Sequence, residues 1–193
     1  MHFWYQHQQP YLTTLIINLF YITIKISHII LLVGVISDTH DNIKNIEKSV
    51  NIFNERGVSF VIHAGDYVRP KAVESFQGIK LIGVLGNNDV NVSGLAHAFN
   101  NIGGELKGDF CEIEQDGVRF AVYHGTKLQQ KHSLIQSGNY DVVVCGHTHK
   151  LERMTVGQTT ILNPGTANGL FFGYKATVAI FNTLSRDIEF ISL

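Results

Sequence analysis

Charge is scarce in this chain. Of 193 residues only 16% are charged, and the formal balance is −1 at neutral pH. No basic face emerges that would track a phosphate backbone, so stable nucleic-acid binding is not expected. Cysteine is scarcer still. Cys111 and Cys145 are the only two, and both sit inside apolar, β-type runs. They read as buried thiols, nothing points to an oxidising compartment, and a cytoplasmic setting is the expectation. No internal repeat and no low-complexity linker divides the chain. Its length is that of one domain able to bury a full core.

Long apolar runs are missing too, with one near-exception. Tyr11–Ile24 is 14 residues, interrupted by Asn18 and followed by Lys25, whereas a spanning helix needs about 20 apolar residues. A signal peptide fits poorly, because no Lys or Arg precedes the stretch and no small-residue cleavage site follows it. Residues 1–28 therefore read as a leader outside the working fold. A membrane-associating segment over 11–24 and an extra structural element are the two other readings. The folded domain, 29–193, is expected to begin near Ile29.

What the chain does have is a repeated kind of strand ending. "VVVCGHTHK" runs from four apolar residues into Gly146, His147 and His149. "LLVGVISDTHDN" ends in Asp38 and His40, and "VSFVIHAGD" ends in Asp66. "IKLIGVLGNND" ends in Asn87, Asn88 and Asp89, and "VRFAVYHG" ends in His124. Each run has the length and β-branched content of a buried strand. Open α/β sheets present ligand residues just beyond the carboxyl ends of their strands. Five runs ending in carboxylate, amide or imidazole point to one metal-binding edge. His2, His7, His28, His97 and His132 have no such setting and read as ordinary.

The intervening segments alternate with these strands. "NIKNIEKSVNIFNERG" carries Ile43, Ile46, Val50 and Phe53 on one helical face, with Asp41 and Asn42 as N-cap candidates and Gly57 at the C-cap. "YVRPKAVESFQG" has Pro70 near a helix start and Gly78 beyond its end. "KLQQKHSLIQSGNYD" is a further short helix closed by Gly138. Strand–helix–strand order implies parallel pairing through right-handed crossovers. The second half contains three hairpins instead: one turning at Asp116-Gly117, one around Gly157, and one over "YKATVAIFNTLSRDIEFISL". A mixed α/β fold with two packed sheets and helices outside accounts for this order.

As a set, Asp38-x-His40, Gly65-Asp66, "GNND" at 86–89, His124 and "GHTH" at 146–149 resemble the calcineurin-like metallophosphoesterases. With "NPGT" at 163–166, their order and spacing are similar to the small, cap-free phosphodiesterase branch (YfcE-type), over about residues 30–193. The resemblance implies a four-layer αββα sandwich of two mixed β-sheets flanked by helices. It also implies two divalent ions, with Asp38, His40 and His149 on the first, Asn87, His124 and His147 on the second, and Asp66 bridging both. Asp66, Asn87, Asn88 and Asp89 make up the implied catalytic set. Nitrogen and oxygen donors without cysteine suit manganese, iron, zinc, cobalt or nickel, and the resemblance puts manganese first.

Two such ions polarise a phosphodiester and make a bridging hydroxide available near neutral pH. With Asp38, Asp66 and that hydroxide, the centre is left formally near +1, which suits a small anionic diester. Many larger relatives carry a histidine where Asn88 stands, and an amide cannot act as a general acid. Diesters with good leaving groups are the expected substrates. Asp89 is read either as a partner of His40 or as a loop-capping carboxylate. His63 is read as orienting its loop or packing inside, and Asn163–Thr166 as a tight turn near the metals. A non-catalytic interaction scaffold on the same fold is the alternative, as is a phosphomonoesterase or nuclease. The oligomeric state is left open, a dimer included.

Overall fold

Strands that are apolar on both faces need a layer on each side, and this chain supplies both. The computed structural model describes residues 31–169 and 173–193, and Leu31–Leu193 forms one unit. The leader expected over 1–28, with its 11–24 stretch, lies outside the described residues. No described helix is long and apolar enough to cross a membrane.

Among the described residues, eleven strands form two sheets. The first contains β1 (Leu32–Ile36), β2 (Val58–His63), β3 (Leu81–Gly83), β4 (Glu105–Leu106), β10 (Thr177–Asn182) and β11 (Ile188–Ser192). Its order is β11-β10-β1-β2-β3-β4, with β1 to β4 parallel and β10 antiparallel to both neighbours. The second contains β5 (Phe110–Gln115), β6 (Val118–Tyr123), β7 (Val142–Val144), β8 (Leu151–Val156) and β9 (Thr159–Pro164), in the order β5-β6-β7-β9-β8. Here β6, β7 and β9 are parallel, and β5 and β8 are antiparallel edges. Both sheets are mixed, as the alternation followed by hairpins requires.

Side-chain alternation assigns the layers. Val33, Val35, Phe60 and Ile62 meet Phe120, Val122, Val142 and Val144 between the sheets. Ile36 and Val61 point the other way, onto Ile46, Val50 and Phe53 of α1 (Ile43–Glu55) and onto Leu95 and Phe99 of α3 (Val92–Asn101). Ala121, Val143 and Cys145 face Ile135 of α4 (Leu128–Gln136). A short α2 (Pro70–Glu74) completes the helices, with Pro70 at its first turn. The result is the αββα order of layers. Cys111 and Cys145 are buried and unpaired.

Two segments differ from the sequence reading. The run 79–89 is a strand only over Leu81–Gly83, because beyond it Val84 and Leu85 donate to His63 and Gly108 across a loop. Helix α3 has no counterpart in the sequence reading. Its signal is the cap at Asn91, whose side chain accepts from the Gly94 N–H at 3.1 Å, with Leu95, Ala98 and Phe99 buried at helical spacing behind it. Because β1, β2, β3, β6 and β7 are all followed by loops at one edge of the sandwich, that edge collects the five polar strand endings.

Candidate metal centre

The loops after β1 and β2 are laced together by their backbones. Asp38 N–H donates to Gly65 C=O at 3.0 Å, and His40 N–H to Asp66 C=O at 3.0 Å. Both carboxylates are thereby carried inside: Asp38 is 0% and Asp66 1% exposed. A buried carboxylate needs partners, and each has them. Asp38 Oδ2 accepts from Ser37 Oγ at 2.7 Å and from the His147 N–H at 3.0 Å. Asp66 Oδ1 accepts from the Asn88 N–H at 2.9 Å, and Oδ2 from Asn88 Nδ2 at 2.7 Å.

Imidazoles close on the same two carboxylates. His149 Nε2 lies 3.3 Å from Asp38 Oδ1, and His124 Nε2 lies 3.4 Å from Asp66 Oδ2. His40 Nε2 lies 3.6 Å from that same Asp66 oxygen and 3.4 Å from His149 Nε2. Asp66 Oδ2 is therefore a neighbour of both His40 and His124. Two groups of donors, Asp38–His40–His149 and Asp38–Asp66–His124, each fall within 4.8 Å of one another. Atoms bound about 2.1 Å from one ion lie about 3.0–3.4 Å apart; the His149–Asp38, His124–Asp66 and His40–His149 separations fall in that range, while His40–Asp66 at 3.6 Å and His124–Asp38 at 4.0 Å are longer.

One atom tests whether a metal fits. His124 Nδ1 is 2.7 Å from the Ala64 carbonyl, which can only accept, so Nδ1 carries the proton. Nε2 then offers a lone pair into the cluster. Among the described residues it is the buried side-chain polar atom without a hydrogen-bond partner. Metal-bound histidines have this arrangement, one nitrogen on the ion and the other donating to a carbonyl.

The titration behaviour has the same origin. Burial works against protonation of His124, but the Asp66 and Asp38 carboxylates outweigh it and raise its pKa. Burial likewise works against the Asp66 carboxylate, yet His124 and the two Asn88 bonds hold its pKa below the usual carboxylate range. The bond to Asp38 raises His149. Burial and the neighbouring His124 lower His147.

The backbone records what the arrangement demands. Asp38, His40, Asp66, His147 and His149 all have φ between 41° and 68°, a region that costs a non-glycine residue about 1–2 kcal/mol. Such residues concentrate at ligand clamps. Glycines admit the loops to one another: a Cβ on Gly146 would lie 1.9 Å from Ser37 Oγ and 2.6 Å from Asp38 Oδ2.

Asp38, His40, Asp66, His124 and His149 are thus brought together. His147 and Asn87 occupy the exposed rim. The His147 ring lies against His124 at 5.2 Å, and Asn87 Oδ1 accepts from Thr126 Oγ1 at 3.4 Å. A cavity of about 220 Å³ adjoins Asn87, lined by Leu85, Tyr123, Thr126 and Lys127 among others. Asn88 faces Asp66 with its amide. Asp89 is the loop cap of the two readings, since its carboxylate accepts from the Asp66, Gly86 and Val68 N–H groups at 2.7–2.8 Å. The turn read over Asn163–Thr166 lies beside the site and supplies two supporting bonds that its residue types do not assign. Thr166 Oγ1 donates to the Asp38 carbonyl at 2.9 Å. Asn163, fully buried, donates to the Gly146 carbonyl at 2.8 Å. "NPGT" is the only local signal for either.

Comparison with known proteins agrees with this geometry. Residues 31–186 match a family model described as the calcineurin-like phosphoesterase superfamily domain. A phosphodiesterase of Methanocaldococcus jannaschii is 35% identical over 164 residues, 83% of this chain and 98% of the relative. A solved structure described as a novel archaeal phosphodiesterase superposes with TM-score 0.79 at 33% identity, over 84% of this chain and all of the other. The E. coli phosphoesterase YfcE shares the fold, with TM-score 0.62 at 18% identity over 84% of this chain and 99% of the other.

Proposed function

Since the chain belongs to the calcineurin-like phosphoesterase superfamily, we propose that it hydrolyses small phosphodiesters at a centre of two divalent ions, manganese first among them. Asp38, His40 and His149 would hold one ion and Asn87, His124 and His147 the other, with Asp66 available to both. The single observation that carries this reading is the buried lone pair of His124 Nε2, aimed at Asp38 and Asp66 and left without a donor. When bound, such ions supply Lewis-acid activation of water and of the phosphoryl group.

The chain's own residues do the rest. Asn88 holds both oxygens of Asp66, so its amide keeps that carboxylate turned to face His40 and His124. Asp89 fixes the backbone beneath it. An amide at position 88 offers a hydrogen bond but no proton transfer near neutral pH, which favours diesters whose leaving group needs no acid. The cavity beside Asn87 supports the same choice, because it offers room for the second ester substituent next to the phosphate position. The buried, unpaired thiols favour the cytoplasm as the location.

The test is a metal-by-substrate screen on the purified protein, with matched aryl diesters and monoesters. Chelation should abolish diester hydrolysis and manganese or a similar ion restore it. Full diester activity in a thoroughly demetallated sample would overturn the metal mechanism. A tenfold preference for the monoester in kcat/KM would overturn the substrate class.

A further inference from the structure

His63 ends β2, three residues before Asp66, and is fully buried. Its two ring nitrogens reach the two loops that carry the buried carboxylates. The Gly65 N–H points to Nδ1 at 3.1 Å. A backbone N–H can only donate, so Nδ1 is bare and the proton of the neutral ring sits on Nε2. Nε2 is 3.1 Å from Thr39 Oγ1 and donates to it. The Thr39 hydroxyl then directs its own proton to the Asp66 carbonyl, 3.3 Å away. One direction of bonding satisfies every group in the relay.

The ring has little freedom to leave this position. It stacks on Tyr67 at 3.8 Å, meets the edge of Phe76 at 5.8 Å, and its carbonyl accepts from Tyr67 Oη at 3.3 Å. Burial keeps the imidazole neutral, with a pKa well below 6.5. Thr39 lies between Asp38 and His40, and Gly65 precedes Asp66. Asp38, His40 and Asp66 all hold left-handed backbone, with φ of 52°, 41° and 65°, which persists only where surrounding groups enforce it.

We infer that His63 is a positioning residue: through Thr39 and Gly65 it sets the spacing between the Asp38–His40 loop and the Asp66 loop, and with it the metal affinity of the centre. This inference rests on the two-metal reading of the site, and its test separates the two.

Mn(II) alone is the probe, titrated into the metal-stripped full chain by calorimetry and by EPR, with melting curves for every variant. Thr39→Val removes the hydroxyl and should weaken Mn(II) binding about tenfold or more, the loss typical of groups that orient metal ligands. Thr39→Ser keeps the hydroxyl and should bind as the unaltered protein does. His63→Asn places Oδ1 where Nδ1 accepts from Gly65 but loses the reach to Thr39, and should match Thr39→Val. The double variant should be no weaker than either single one, because both break the same relay. Unchanged affinity in Thr39→Val overturns the inference, as do fully additive losses in the double variant. Should His63→Asn fail to fold, the Val–Ser contrast at position 39 decides alone. Asp66→Asn is the control. If it binds Mn(II) normally, the metal centre falls and the brace with it. Crippled binding in Asp66→Asn beside normal binding in Thr39→Val overturns the brace alone.

Discussion

Gly86→Ala is a single-methyl perturbation whose consequence follows from distances. A Cβ at position 86 would lie 2.1 Å from Asp66 Oδ1 and 2.5 Å from the Asp66 backbone nitrogen. Real Cβ contacts essentially never fall below 3.0 Å, so the carboxylate must retreat by about 0.9 Å and the backbone by about 0.5 Å. The carboxylate cannot simply rotate aside, because Asn88 holds both of its oxygens and Asp89 holds the Asp66 N–H. Gly86 is not among the glycines with positive φ, so alanine suits the backbone and the effect is steric. Overpacking of this kind costs about 1–3 kcal/mol of stability, and a misplacement near 1 Å at reacting groups costs about 10²-fold in rate. The expected result is a folded protein with a lowered melting temperature and kcat/KM for an aryl diester down about 10²-fold at saturating Mn(II). A Gly86→Ala protein that melts and turns over like the unaltered one would refute the argument that the position of Asp66 controls the site.

Other outcomes follow from the same contacts. Asp89→Asn turns an NH2 group toward backbone donors that now share two carboxylate oxygens; leaving one unsatisfied costs about 1–3 kcal/mol, so thermal melting should show that loss together with reduced activity. Asn88→Ala removes a donor to a charged acceptor, worth about 1.5–3 kcal/mol, and kcat/KM should fall about tenfold or more; an unchanged rate would show that Asn88 does not orient Asp66. His124 and His149 both hold protons above their ordinary 6.5 in the metal-free protein, and a metal ligand must be deprotonated. Apparent Mn(II) affinity should therefore fall as pH drops through and below the raised values, with proton release visible by calorimetry in two buffers of different ionisation enthalpy. Absence of proton release near pH 6 would exclude these imidazoles as ligands.

Much of this was legible along the chain because the signals are local. Each buried strand announces itself by a β-branched run and each turn by its residue types, as at Asp116-Gly117, where both residues have positive φ. Helix α1 is written in Ile46, Val50 and Phe53, and its cap in Asn42, which accepts from the Asn45 N–H at 3.2 Å. Helix α3 was obscured because Gly94 is a poor helix residue, and what keeps it helical is the packing of Leu95 and Phe99 against the first sheet. Propensity is a weak prior that such burial overrides.

The sequence by itself determined which residue types gather at the strand ends, since parallel strands with crossovers must bring their carboxyl ends to one edge. It did not determine which atom faces which. His40 and His149 meet across a sequence separation of 109, and that depends on how two sheets close face to face. Only the tertiary structure decided that Asp89 caps a loop, that Asn88 grips Asp66, and that His63 ties Thr39 to Gly65. Each of those roles is a hydrogen bond with a direction and a reach of about 3 Å, and no spacing along a chain specifies such a bond until the packing of the layers has set the distance.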